Sequence, residues 1–247
     1  MNPAERPIGT MHNDDLKALF DQQAAGYDRQ WARLAPMRDA LHFLLETVFA
    51  ELSPDASILC VGVGTGIEMA HLAARFPAWR FTAVEPSGAM LDVCRGRAES
   101  EGFADRCRFH EGYLETLPAG DPHDAATCFL VSQFIVDRTA RIEFFRSIAA
   151  RLRPRGVLAS ADLSADTASP EYDALLDVWM RLMSAADLSP ERREQMRRAY
   201  ENDVAVLPPA EVADIIRSAG FETPTLFHQA ALIHAWFARR TQGDPSE

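Results

Sequence analysis

The chain has 247 residues, 47% hydrophobic and 25% charged, which is enough to bury a core without a metal or disulfide staple. A formal net charge of −11 disfavours nonspecific binding to nucleic acid or to an anionic membrane surface. Cys60, Cys94, Cys107 and Cys128 have neither C-x-x-C pairing nor histidines at ligand spacing, so they read as reduced thiols in a cytoplasmic protein without a metal.

The opening MNPAERPIGTMHNDDLK carries no apolar signal region, and no run of about 18 apolar residues follows. Residues 1–13 and the tail 241–247 read as disordered or frayed. One domain is expected over 14–240. Its first part, 14–52, reads as a helical cap, with Leu41, Leu44, Leu45, Val48 and Leu52 on one helical face. SPDA then breaks the chain.

An alternating rhythm follows. SILCVG, RFTAVEP, RCRFHEG, HDAATCFLVSQF and GVLASADL read as five strands. Helices through EMAHLAARF, SGAMLDVCRGRAES and DRTARIEFFRSIAARLRP separate them. Apolar strands alternating with helices predict parallel pairing, because each crossover helix covers a sheet face. After Leu163 the rhythm breaks. Residues 165–205 read as an inserted helical lid, its second helix opened by Ser189 and Pro190. The cluster Arg192, Arg193, Arg197 and Arg198 reads as a solvated helix face. Trp179, Met180, Leu182 and Met183 suit either a core or a cover over a small acceptor, and on the lid reading deletion of 171–202 should spare cofactor binding while damaging turnover. PPAEVADIIRSAGF is another helix, and ETPTLFHQAALIHAWFARR an antiparallel pair that completes a doubly wound seven-stranded α/β sheet.

The chemistry starts at ILCVGVGTGIE. A strand entering glycines and then a helix builds a tight turn, lets a ligand approach the backbone, and offers free N–H groups at the helix start. The dinucleotide fingerprint G-x-G-x-x-G would need glycine at Ile67, where the branched side chain argues against a dehydrogenase. The spacing Gly62, Gly64, Gly66 instead resembles the first motif of class I S-adenosylmethionine-dependent methyltransferases. AVEPS resembles their second motif, with Glu85 at the end of the second strand, roughly 20 positions after the first glycine. HEGYLETLP resembles the adenine-contacting segment, and FLVSQF stands after the fourth strand.

The resemblance implies a methyltransferase of the Rossmann-like fold, with S-adenosylmethionine as cofactor, S-adenosylhomocysteine as product and a small-molecule acceptor. It implies Gly62, Gly64 and Thr65 beneath the methionine part, and Glu85 on the ribose with Pro86 and Met90 nearby. It implies Tyr113 and Leu114 beside the adenine, and Phe129 and Leu130 at the sulfonium end. Tyr27 resembles a tyrosine that closes over the cofactor, with simple packing as its other reading. Two positions depart from the pattern: Cys60 and Tyr113 stand where many relatives carry acids. If a contact is missing at Cys60, Cys60→Asp should tighten cofactor binding. Alternatives are a carboxy-S-adenosylmethionine-dependent or tRNA-modifying relative, and a non-catalytic cofactor-binding scaffold. No catalytic base is assigned. His42 and His71 read as packing or surface residues, His228 and His234 as residues of the terminal hairpin. Ser132 and Gln133 could hydrogen-bond an acceptor or cap a helix.

Overall fold

The computed structural model describes residues 13–183 and 204–242, together with 191, 194, 197, 198 and 200. Residues 1–12 and 243–247, and with them most of both expected frayed ends, lie outside the described residues, as do Arg192, Arg193 and the Ser189-Pro190 helix start.

Seven strands form one sheet: β1 Ser57–Val61, β2 Arg80–Glu85, β3 Cys107–Glu111, β4 His123–Phe129, β5 Leu152–Leu163, β6 Thr225–Ala230 and β7 Ile233–Arg239. Their order is β3-β2-β1-β4-β5-β7-β6. Strands β1 to β5 pair in parallel, and β7 runs antiparallel between β5 and β6. The order reverses between β1 and β4, and a crevice at their carboxyl ends is where open α/β sheets take ligands.

Among the described residues the helices longer than one turn are α1 Asn13–Gln23, α2 Ala35–Val48, α3 Ile67–Arg75, α4 Gly88–Ser100, α5 Arg138–Ala150, α6 Pro170–Met183 and α7 Pro209–Ser218. Their starts are written locally. Ser87 Oγ accepts from Met90 N at 3.1 Å to cap α4, and Asp137 Oδ1 accepts from Ala140 N at 2.8 Å to cap α5. Such caps are worth about 1 kcal/mol each. Pro209 opens α7, and Gly220, at φ +95°, follows its C-terminal end.

Two apolar layers sandwich the sheet. Leu45 of α2 and Phe49 just after it pack with Met69 and Leu72 of α3 against Ile58, Cys60 and Ala125. Phe145 and Ile148 of α5 and Ile215 of α7 cover Leu59, Ala126 and Leu158. The adjacent strand residues fall in opposite layers, as the two-residue period of a strand requires.

Two sequence readings shift. β4 ends at Phe129, and Ser132–Phe134 is a helical turn rather than strand. β5 begins at Leu152 rather than Gly156; its pairing with β4 is irregular between His123 and Ala125, and Arg155 stands at φ +62° beside Gly156.

Candidate functional site

The glycine turn joins β1 to α3 at the sheet's carboxyl edge. Gly62, Gly64 and Gly66 all have positive φ, at +65°, +54° and +77°. A Cβ on Gly62 would stand 2.4 Å from Val131 Cγ2, and one on Gly66 would stand 2.5 Å from Cys94 Sγ. At Gly64 no atom would lie within 4 Å, so the outside of the turn is open where a ligand must approach the backbone.

Glu85 ends β2 and faces this turn. Its carboxylate accepts from Gly64 N at 3.0 Å and from Ser87 N at 2.9 Å. Burial pushes its pKa up, and the two backbone donors oppose that. Two donors leave further lone pairs on the carboxylate for a ligand's hydroxyl groups.

The N-terminal segment closes over this edge. Phe20 of α1 meets Tyr27 edge-on at 6.3 Å and Phe134, after β4, at 5.9 Å. Asp21 accepts from Ser87 Oγ at 2.6 Å and from Lys17 Nζ at 3.0 Å. Asp28 accepts from Thr65 Oγ1 at 2.7 Å and from Arg97 Nη2 at 2.5 Å, while Arg97 Nε donates to Thr65 O. Tyr27 is half-buried, and desolvation of its hydroxyl, added to by the nearby charges of Glu85 and Asp28, pushes its pKa up to about 12. Asp21, Asp28 and Arg97 were missed in sequence because they pair with residues far along the chain.

The remaining expected residues occupy the same edge, and the structure distinguishes their settings. Pro86 follows β2, and Met90 is buried in the first turn of α4. Tyr113 is 36% exposed after β3, within electrostatic reach of Lys17 and Glu85, whereas Leu114 is buried in the layer that includes Val84. Phe129 is half-buried at the end of β4. Leu130 is 36% exposed at φ +59°, held by Leu130 N donating to Ala161 O at 2.6 Å. A branched residue in the left-handed region is strained, and such strain concentrates at ligand sites.

Ser132 Oγ and Gln133 Oε1 are engaged within the protein. Ser132 Oγ donates to Asp162 Oδ2 at 2.8 Å and accepts from Arg141 Nε at 3.0 Å. Gln133 N donates to Asp162 Oδ1, and Gln133 Oε1 accepts from Leu163 N. Arg141 and Asp162 are both 0% exposed, and Arg141 Nη2 lies 3.1 Å from Asp162 Oδ2. That contact is an ion pair by distance only, since Nη2 makes no aligned hydrogen bond. Arg141 Nη1 also donates to Ala205 O, tying that stretch of chain to α5.

Beneath Phe129 lies a second buried polar group. His42 stacks on Phe129 at 6.4 Å and meets His71 at 5.3 Å, and His71 Nε2 lies 2.8 Å from Glu46 Oε1. Burial pushes the His42 pKa down to about 4. Below the ordinary histidine pKa the unfolded chain takes up a proton that folded His42 refuses, so stability falls as pH drops from about 6.5 to 4. His42→Phe should flatten that loss. Thermal melts of both proteins at pH 7 and pH 4.5 check it, and equal pH sensitivity would refute it.

The lid residues Trp179 and Met180 turn inward. They join Leu41, Leu163, Leu176 and Leu232 in a buried cluster, with Met183 packed on it, and Trp179 Nε1 donates to Tyr200 Oη at 2.6 Å. α6 is therefore a core helix, and deleting 171–202 would strip this cluster instead of merely removing a cover. Arg197 pairs with Asp173 at 2.8 Å and Arg198 with Glu194 at 2.9 Å. Outside α6, a groove of about 480 Å³ is lined by Tyr172, Leu175 and Val178 with Asp166, Gln229 and His234. Among the described residues no cluster could hold a metal ion, and no helix is long and apolar enough to cross a membrane.

The protein has a doubly wound α/β fold whose glycine turn and strand-end carboxylate stand at the edge where such sheets take ligands. Comparison with known proteins specifies which kind. Residues 58–156 match the family model of a methyltransferase domain. The chain is 30% identical over 154 residues to methyltransferase GfsG of Streptomyces halstedii, covering 61% of this chain and 54% of that one. It is 33% identical over 116 residues to erythromycin 3''-O-methyltransferase of Saccharopolyspora erythraea, covering 46% and 37%. The match to the first of these relatives spans only about half its length. The solved structure of the [4+2]-cyclase SpnF shares the fold, with a TM-score of 0.67 at 14% identity over 96% of this chain and 100% of that one. The matches assign a methyltransferase domain to residues 58–156, and the rest of the chain is similar to methyltransferases in fold.

Proposed function

We propose that the protein transfers a methyl group from S-adenosylmethionine to a hydroxyl oxygen of a small molecule, leaving S-adenosylhomocysteine. The observation that carries this reading is the glycine turn itself: Gly64 donates its N–H to Glu85, while the space where its Cβ would stand is open. Gly62, Gly64 and Thr65 would run beneath the methionine part, and Glu85 would accept from the ribose hydroxyls with Pro86 and Met90 beside it. Tyr113 and Leu114 would flank the adenine, Phe129 and Leu130 the sulfonium end, and Tyr27 would close the site. The cofactor supplies an activated methyl group on a charged sulfur. The chain's part is to align the acceptor and exclude water. The choice of oxygen and of a small acceptor is supported by the erythromycin 3''-O-methyltransferase relative. The groove outside α6 opens beyond the carboxyl end of β5, and its mixed apolar and polar lining suits an amphipathic acceptor.

Because the fold also serves a [4+2]-cyclase, methyl transfer itself must be measured. Titration calorimetry should show S-adenosylmethionine binding that Glu85→Ala weakens about 10- to 100-fold, the value of one or two hydrogen bonds to a charged group. Label from the donor methyl should appear in a hydroxylated acceptor from a macrolide and sugar panel. Failure to bind the cofactor at millimolar ligand would overturn the proposal, and binding without transfer to any acceptor would favour a scaffold.

A further inference from the structure

Glu68 is the second residue of α3, directly after the glycine turn. Its carboxylate accepts from Thr127 Oγ1 of β4. Thr127 is the ladder partner of Cys60 in β1, so the two side chains share a sheet face, and the Cys60 thiol lies against the same hydroxyl. Glu68 thus places its carboxyl group where β1 and β4 end side by side, at the point where the strand order reverses. Thr127 satisfies one of the several acceptor positions of this carboxylate. Among the described residues no lysine, arginine or histidine stands within ion-pair distance of it.

The groups facing Glu68 supply no compensating charge. They are the thiols of Cys60 on β1 and Cys94 on α4, each held neutral by burial, while Cys128 lies on the opposite face of β4. His71, one turn along α3, is engaged with Glu46 of α2. Glu85 is bound to Gly64 N on the other side of the turn. An ionised, desolvated carboxylate with one neutral partner is costly, and a cation is its natural complement.

We propose that Glu68 is the carboxylate that receives the cationic amino end of the cofactor beneath the glycine turn. The assignment rests on the methyl-donor reading above. It makes Glu68 a positioning residue and resolves the departure at Cys60: the acid has moved from the strand to the facing helix. A neutral thiol at Cys60 leaves that layer free of a second charge. Burial pushes the Glu68 pKa up to about 7, so the ligand-free protein holds a proton there at pH 6 and must release it when the cation arrives.

The test is calorimetry with S-adenosylhomocysteine at pH 6, in buffers of differing ionisation enthalpy. This ligand keeps the ammonium and lacks the sulfonium charge. The wild-type protein should release close to one proton per ligand bound, and almost none above pH 8. Glu68→Gln should abolish the release and weaken binding about tenfold. The ligand-free variant reads out separately. A carboxyl whose folded pKa lies above its unfolded value loses stability as pH rises through that window, so Glu68→Gln should melt higher than wild type at pH 8 and equally below pH 4.5. Wild-type binding without proton release would overturn the assignment alone. Release that persists in Glu68→Gln would also overturn it and point to Glu85. No binding of either cofactor form would overturn the methyl-donor reading and this inference together.

Discussion

Arg141→Met should lower the thermal midpoint by roughly 6–20 °C, among the largest single-site effects in the protein. The substitution keeps much of the aliphatic volume but leaves Asp162 buried at 0% exposure without its cation. Removing one partner of a buried pair costs about 3–5 kcal/mol, because the remaining charge has lost its water and gains nothing in return. Burial already pushes the Asp162 pKa up, and the Arg141 charge is the largest influence holding it down. Ser132 Oγ would also lose the donation from Arg141 Nε, and Ala205 O that from Nη1. Arg141→Met/Asp162→Asn should recover part of the loss, since a neutral amide can still accept from Ser132 or Gln133. Differential scanning calorimetry of both variants decides the matter. A fall of less than about 2 °C for Arg141→Met would show that the pair carries little.

This pair illustrates what a linear reading reaches. The alternation of apolar strands and helices, the glycine turn and Glu85 at a strand end are short-range patterns, and each stands where the sequence places it. The hairpin β6–β7 was legible for the same reason. Arg141, by contrast, looks like any arginine on an amphipathic helix. Its partner lies on a strand beyond the next turn, and only the closed sheet shows that both are buried. Asp28 is similar: nothing near it in the chain indicates Thr65 or Arg97, yet those contacts tie the cap to the glycine turn. Trp179 and Met180 were open between core and cover because a helical stripe does not say which surface it meets; the cluster with Leu41 and Leu163 answers for the core. Glu68 was passed over because an acid in the first turn of a helix has an ordinary explanation, the favourable helix dipole. That explanation does not account for a carboxylate turned inward onto Thr127.

The same geometry reverses the sequence-based expectation for Cys60. A missing acid predicts that Cys60→Asp tightens cofactor binding; a relocated acid predicts that the substitution damages the protein. Cys60 is 0% exposed, and its thiol shares the Thr127 hydroxyl with Glu68. An aspartate there would bury a second carboxyl against the first. Two carboxyls at such a site cannot both ionise and must share a proton, at a cost of several kcal/mol. Cys60→Asp should therefore melt roughly 5–15 °C below wild type and bind S-adenosylhomocysteine no more tightly. The double variant Cys60→Asp/Glu68→Gln leaves one ionisable carboxyl, now on the strand. It should regain most of the lost stability and bind S-adenosylhomocysteine more tightly than Glu68→Gln alone. The discriminating quantity is the coupling between the two positions in a double-mutant cycle. Additive losses would mean that the two side chains do not meet, whereas rescue would show that one negative charge is needed at this place and that either the strand or the helix can supply it.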